Sequence, residues 1–279
     1  MFMRVKFKRK NILPILGMMI IAILIIISIL GPYIIKHDPN ANNLYNMYAS
    51  PNSAHILGTD EVGRDVFSRL IYGGRVSLLV GFSAMFVQLI LGIILGTISG
   101  FFGGFIDKVI MMIVDIIMCF PFFIIVITIA AIVGPNIWNL IGIIGFLSWP
   151  KIARIIRAEI MSLKDNDYIM AAKAMGLNNV EIIINHLLPN VISAIIISAT
   201  LAIAEGILSE AALSFLGMGV RPPMPSWGNM LSSAQNVTTL QRQWWLWVPA
   251  GTMVIIVVIS INLLGDGLRD YLDPKNKRK

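Results

Sequence analysis

Three acidic residues, Asp115, Glu205 and Glu210, interrupt long apolar stretches of the sequence. A carboxylate inside a membrane-length apolar stretch is costly, so we treat all three as candidates for a transport pathway. For Asp115 we favour a hydrogen bond between helices, whereas the position of Glu205 suits both pathway lining and structural pairing. Glu205 and Glu210 are five residues apart, about 140° around a helix, so they do not share a face. We therefore expect no two-carboxylate metal site, and our hypothesis is that Glu205 faces a translocation cavity.

A second group of charged residues forms a compact motif that reads LGTDEVGRD, followed by SRLIYGGRVS. Asp60 with Arg64, and Asp65 with Arg69, are opposite charges four residues apart, a spacing that stabilises an exposed helix by a few tenths of a kcal/mol. We therefore predict a surface helix here. A sharper hypothesis is that Arg64 or Arg75 pairs with carboxylates of a partner protein. The candidate docking residues of this motif are Gly58, Asp60, Gly63, Arg64, Asp65 and Arg75.

Several kinds of chemistry lack their sequence signature. No G-x-x-x-x-G-K-[ST] loop is present to hold the phosphates of a nucleotide. Neither H-E-x-x-H nor G-x-S-x-G occurs. His37, His55 and His186 are scattered along the sequence, and Cys119 is the single cysteine, so we expect no metal site. The chain is predicted to be non-enzymatic and to bind no cofactor of its own.

The composition indicates which elements must position these residues. Of the 279 residues, 57% are hydrophobic and 13% are charged, against about 45–50% and about 25% in soluble domains. Six apolar blocks reach the roughly 20 residues that a membrane-spanning helix needs. These blocks are approximately residues 12–35, 76–101, 109–133, 137–156, 191–216 and 246–264. We predict an all-α polytopic membrane protein with six transmembrane helices, and take the first block as an uncleaved anchor.

The distribution of basic residues predicts the orientation. With both termini on the cytoplasmic side, 16 of the 22 Lys and Arg residues fall in cytoplasmic segments, as the positive-inside rule requires. This asymmetry also accounts for the net charge of +7 without nucleic acid as a partner. We expect the basic tails to contact membrane lipids. The sequence therefore predicts a multi-pass protein with one long inner loop and two long outer loops.

The inner loop, residues 158–190, is too polar to enter lipid and has its own helical pattern. Tyr168, Ile169, Ala172 and Met175 recur at helical spacing, and Gly176 is a typical helix terminator. A second helical segment, 178–186, is expected to stop before the proline at position 189, which lacks an amide proton. We predict two short helices that are bent at the glycine.

This loop resembles the EAA loop of bacterial ABC-importer permeases, in which a short helix inserts into a cleft of the ATP-binding subunit. Met170 stands where the family pattern has Glu. The residues that the resemblance assigns to docking on the ATPase subunit are Tyr168, Met170, Ala171, Ala172, Met175, Gly176, Leu177, Leu188 and Pro189.

The outer motifs narrow the resemblance. LGTDEVGRD, with EAALSFLGMG and PPMPSWG further along the chain, is similar to the C-type permease subunit of dipeptide and oligopeptide ABC importers. The resemblance implies a type I importer permease fold with a cytoplasmic coupling helix. It divides the chain into an anchor and outer loop (1–75), a permease core (76–267) and a basic tail (268–279).

The resemblance also implies the activity and the partners. A second homologous permease, two ATP-binding subunits that bind ATP and Mg, and an extracytoplasmic substrate-binding protein would complete the importer in a bacterial cell membrane. The expected cargo is di- and oligopeptides, moved by alternating access. Nickel or a metallophore complex is the alternative within the same family. An ion-coupled secondary transporter is the alternative from another class.

Overall fold

The computed structural model describes residues 12–272, and within this range the regular secondary structure is helical apart from one isolated bridge between Thr59 and Asp65. Short 3₁₀ turns lie at Leu44–Asn46, Ser232–Gln235 and Trp244–Leu246. The α-helices are α1 (Ile12–Ile34), α2 (Val66–Phe102), α3 (Gly104–Cys119), α4 (Phe122–Val133), α5 (Ile137–Leu163), α6 (Asp167–Ala174), α7 (Asn179–Ile182), α8 (Leu188–Phe215), α9 (Trp227–Leu231), α10 (Val237–Arg242) and α11 (Val248–Leu272).

The membrane-spanning helices agree with the predicted blocks. Five helical stretches of the described range are long and apolar enough to cross a membrane, and α3 with α4 makes a sixth if this pair, bent by 86°, is one span. The bend falls at Pro121, which has no amide proton to continue the helix. The second crossing begins earlier than predicted, at Val66, because the Asp65 side chain accepts the Ser68 N–H at the start of α2.

Glycines let α2 approach α5 closely. A Cβ at Gly96 would lie 2.6 Å from the carbonyl oxygen of Ala153, and one at Gly100 would lie 2.8 Å from that of Arg157. A Cβ at Gly92 would lie 2.6 Å from Ile152 Cγ2 of the same helix. Small residues at a spacing of four permit backbone contact where lipid supplies no hydrophobic driving force. The α2 backbone therefore comes close to α5 at these glycines.

The inner segment 158–190 contains the two predicted helices, α6 and α7, with Gly176 between them at φ +85°. The prediction that the second helix stops before Pro189 is wrong. A π-helical turn over residues 183–187 connects α7 to α8, and the Leu188 N–H bonds to the Ile183 carbonyl oxygen. Pro189 then lies in the first turn of α8, where a missing amide proton costs little.

Candidate functional site

Three cations at intervals of three residues along α5 each pair with a carboxylate of a neighbouring helix. The pairs are Lys151 with Glu205 of α8, Arg154 with Asp115 of α3, and Arg157 with Asp107 of α3. The sequence places Lys151 with the inner loop, but α5 extends to Leu163 and carries all three cations within the bundle. Ionisable groups in membrane helices normally pair in this way. The α5 ladder, as we call these three pairs, therefore links α3, α5 and α8.

The pair closest to the inner end of α5 has the best geometry. Arg157 donates from Nε and Nη2 to the two carboxylate oxygens of Asp107, each at 2.6 Å, and Ser99 Oγ also donates to Asp107. A bidentate Arg–carboxylate pair fixes orientation as well as distance. The next pair joins Arg154 to Asp115, and it matches the interhelical hydrogen bond predicted for Asp115.

The ladder ends at a cavity of about 370 Å³, which we call the central cavity. Its walls come from the break between α3 and α4 and from α5 and α8. They include Phe120, Phe122 and Phe123 beside Lys151 and Glu205. The Lys151 and Glu205 side chains remain 59% and 49% exposed although they pair with each other. Glu205 is thus both paired and cavity-lining, the two roles that the sequence left open.

The depth of this charged pair follows from the helix rise of 1.5 Å per residue. Lys151 lies 14 residues into α5, and Glu205 lies 10 residues before the end of α8. These spacings correspond to about 21 Å and about 15 Å, in a hydrocarbon core about 30 Å thick. The central cavity therefore presents one ammonium and one carboxylate near the middle of the span, surrounded by apolar side chains.

Glu210 occupies a different environment from Glu205, although both belong to α8. Its side chain is 0% exposed, and its two carboxylate oxygens accept hydrogen bonds from Ser77 Oγ and Ser214 Oγ, both at 2.7 Å. Ser77 Oγ in turn accepts the Trp227 backbone N–H at 3.1 Å. This position does not support a pathway role for Glu210. The residue instead connects α2, α8 and α9, and we call these contacts the Glu210 network.

Trp227 completes the outer side of this network. It is buried, and its indole Nε1 donates to the Leu70 carbonyl oxygen at 3.0 Å. The proline-rich segment that leads into α9 therefore folds against the bundle of this chain.

The charged motif before α2 is not the predicted surface helix. Asp60 Oδ1 accepts the backbone N–H groups of Val62 and Arg64, which closes a turn instead of a helix. Gly58 and Gly63, at φ +68° and +76°, provide the backbone conformations that this turn needs. The predicted Asp60–Arg64 pair is present, with Nε to Oδ2 at 2.7 Å, but both side chains are nearly buried.

The second predicted pair, Asp65 with Arg69, is wrong. Asp65 accepts the Ser68 N–H and pairs with His55 at 2.9 Å. Arg69 instead approaches Asp60, with Nε to Oδ2 at 3.5 Å, and donates to the Pro39 and Pro223 carbonyl oxygens. The carboxylate of an aspartate at the start of a helix accepts backbone N–H groups of the first turn. It is therefore not available for an ion pair with Arg69, one turn further along the helix.

Arg75 is the docking candidate of this motif that remains exposed. It lines an open outer cavity of about 700 Å³ together with Lys36 and Arg221. Arg64, by contrast, is almost buried and already paired with Asp60. The geometry therefore favours Arg75 over Arg64 as a group that is free to meet carboxylates of another protein.

The predicted docking residues of the inner segment divide into two sets. Ala172 is buried with Ile169 in the core, and Leu177 and Leu188 pack partly against it. Tyr168, Met170 and Met175 are exposed by 42%, 58% and 73%. Ala171, Gly176 and Pro189 are exposed as well. Exposed apolar side chains on a polar loop are typical of an interaction site.

Sequence reasoning missed the cationic half of the α5 ladder and the hydroxyl partners of Glu210. Basic residues at positions 151, 154 and 157, in the last turns of an apolar block and just after it, were a usable signal, because acidic residues in neighbouring blocks require partners. Ser77 and Ser214 carried no such signal, since serine is common in membrane helices. Ser77 is also 133 residues away from Glu210, although Ser214 lies only one helical turn away.

The fold, the charged central cavity and the exposed loop define a membrane transport component with several spanning helices. The chain belongs to the family of binding-protein-dependent transport system inner membrane components, whose model matches residues 92–278. The N-terminal transmembrane domain of oligopeptide transport permease C matches residues 6–51.

Relatives extend the similarity over most of the chain. The dipeptide transport system permease protein DppC of Alkalihalophilus pseudofirmus is 42% identical over 96% of this chain and 88% of its own length. DppC of Bacillus subtilis is 36% identical over 97% of this chain and 84% of its own length. The di/tripeptide transport system permease protein DppC of Pseudomonas aeruginosa is 37% identical over 94% of this chain and 88% of its own length.

A solved structure shares the fold. It is an inward-facing form of the MetNI methionine ABC transporter, matched with a TM-score of 0.59 and 19% identity over 74% of this chain and 96% of that chain. The all-α importer-permease fold expected from the sequence is therefore confirmed.

We predict that Glu210→Ala destabilises the protein by about 3 kcal/mol, because two buried hydroxyls lose their acceptor and a cavity replaces the carboxylate. Glu205→Ala, on the same helix, removes a half-exposed pair and should cost about 1 kcal/mol or less. Thermal unfolding of both variants in detergent compares the two effects. Equal losses of stability would contradict the Glu210 network as a structural element.

Proposed function

We propose that this chain is the permease subunit through which an ATP-driven importer moves di- and oligopeptides across a bacterial cell membrane. The observation that carries the proposal is the half-exposed Lys151–Glu205 pair in the apolar central cavity. The names of the relatives, which describe dipeptide and di/tripeptide permeases, support the same cargo.

The central cavity suits a zwitterion. A peptide with free ends carries one carboxylate and one ammonium, which can pair with Lys151 and Glu205 respectively. The apolar walls tolerate varied side chains because dispersion contacts are not directional. When the peptide enters, Lys151 and Glu205 exchange their contact with each other for contacts with the two charged ends of the peptide. Neither protein charge is then left unpaired.

The nickel alternative is less compatible with this cavity. A divalent cation beside Glu205 would also meet the ammonium of Lys151, and no histidine or cysteine is among the residues that line the cavity. Nickel prefers imidazole and thiolate ligands over a single carboxylate. An anionic metal chelate would fit better than the free ion.

The partners of the proposed importer would use the two ends of the molecule. We place residues 158–190 on the cytoplasmic side, where Tyr168, Met170 and Met175 would enter clefts of ATP-binding subunits that bind ATP and Mg. An extracytoplasmic binding protein would present carboxylates to Arg75 at the outer cavity. A second homologous permease would close the pathway, and both termini would be cytoplasmic, as the basic residues suggest.

Uptake in cells tests the cargo directly. We expect deletion of the gene to abolish uptake of labelled di- and oligopeptides and to leave uptake of nickel unchanged. Restoring the gene should restore peptide uptake. Loss of nickel uptake alone would contradict the peptide proposal and support the alternative within the family.

The central cavity makes a second prediction. Glu205→Gln should raise the KM for peptide uptake roughly fivefold, about the 1 kcal/mol that a half-exposed charge pair contributes. Glu159→Gln, an exposed residue of α5 that does not line the cavity, is the matched control. Unchanged uptake kinetics in Glu205→Gln would refute its role in cargo selection.

The inner segment makes a third prediction. Gly176→Val places a β-branched residue at φ +85°, where the strain is about 1–2 kcal/mol. No atom lies within 4 Å of the added Cβ, so the backbone alone carries the effect. We expect at least a fivefold drop in peptide transported per ATP hydrolysed by the reconstituted importer. Gly176→Asn, which tolerates this conformation better, should keep most of the coupling, and equal coupling in both variants would argue against docking through this bend.

A further inference from the structure

Two histidines that the sequence appears to scatter lie side by side on the outer segment. The ring centroids of His37 and His55 are 5.1 Å apart. One potential ligand atom each from His37, His55 and Asp65 lies within 4.8 Å of those of the other two residues. His37 and His55 meet because the chain after α1 folds back beside the turn that precedes α2.

His55 and Asp65 lie close to the spacing that a shared ion needs. His55 Nδ1 and Asp65 Oδ2 are 2.9 Å apart. Neighbouring ligands of a tetrahedral zinc ion with bonds of about 2.1 Å are about 3.4 Å apart, so a shift of about 0.5 Å lets both atoms bind one ion. The other oxygen of Asp65 accepts from the N–H and hydroxyl groups of Ser68 at 2.7 and 2.8 Å, which orients the carboxylate. Such supporting hydrogen bonds are typical of metal-ligating carboxylates.

The surroundings select the class of ion. His37 shares the outer cavity with three cations, Lys36, Arg75 and Arg221, and with one acidic residue, Asp38. These cations oppose an ion that is held by charge alone, as calcium and magnesium are. Zinc, nickel and copper gain strong bonds to imidazole nitrogen, so they tolerate this environment better.

We propose that His37, His55 and Asp65 form a binding site for one divalent transition-metal ion, with zinc as the reference ion. His55 takes the tautomer that carries its proton on Nε2, so that Nδ1 bonds to the ion together with Asp65 Oδ2 and a ring nitrogen of His37. His37 is exposed and can close the remaining gap. Water completes the coordination. The site ties the chain after α1 to the first residues of α2, beside the basic outer cavity.

Metal binding by the full-length chain tests this proposal. The protein would carry a tag without histidine and be purified together with whatever subunits remain bound to it. This complex would be stripped of metal with EDTA and then dialysed against Zn²⁺ or Ni²⁺. We expect one saturable ion per chain, and at least tenfold weaker binding in His37→Ala. His186→Ala, which removes the histidine at the opposite end of the fold, should bind normally.

Two further variants, Asp65→Asn and Glu205→Gln, distinguish binding at the proposed site from binding elsewhere in the protein. Asp65→Asn keeps a side-chain oxygen to cap α2 but removes the carboxylate, and we expect it to weaken Zn²⁺ binding as His37→Ala does. Glu205→Gln should leave the stoichiometry unchanged, because the central cavity is a separate site. Zn²⁺ should also raise the unfolding temperature of the unmutated protein but not that of His37→Ala. Absence of saturable binding, or unchanged binding in His37→Ala, would overturn the proposal.

Discussion

Pairing of charges inside the helix bundle is the constraint on which the rest of this structure depends. Ionisable groups on membrane-spanning helices are costly when unpaired, and each of the three cations of α5 has a carboxylate within reach. The α5 ladder meets this need from two sides, since α3 supplies two acidic residues and α8 supplies one. Pairing with both helices places α5 between α3 and α8. The central cavity lies at the end of the ladder, where the Lys151–Glu205 pair is half-exposed.

Close helix contact provides the complementary constraint. Gly92, Gly96 and Gly100 bring α2 against the face of α5 that bears Ile152 and Ala153. The ladder holds α5 by electrostatic attraction to particular carboxylates. The glycine contact holds it by close packing, which is possible because glycine has no side chain. Together they fix α5 as the central element of the bundle.

The sequence predicts most of the fold and less of the site, for physical reasons. Spanning helices follow from apolar length, and the break at Pro121 follows from a missing amide proton, both of which are local properties. Ser77, one partner of Glu210, is 133 residues away in sequence, so no local pattern reveals it, whereas Ser214 lies one turn along the same helix. The motif around Asp60 misleads because the spacing of charges in a helix also occurs in a turn, where the carboxylate binds backbone N–H groups instead. The pairing of His37 with His55 depends on how a loop folds back, which periodicity does not describe.

The contrast between Glu205 and Glu210 indicates where the bundle can rearrange. Glu210 is fully buried and bonded to two hydroxyls, so separating α8 from α2 there would leave unsatisfied polar groups. The half-exposed Lys151–Glu205 pair lies beside the broken α3–α4 span and can exchange its contacts with water at little cost. The inner end of α8 is continuous with the exposed segment 158–190 through a π-helical turn, an element often found at functional sites. The segment that carries α6 therefore joins α8 at the end of that helix farther from Glu210, and Glu205 of the charged pair lies along α8 between the two.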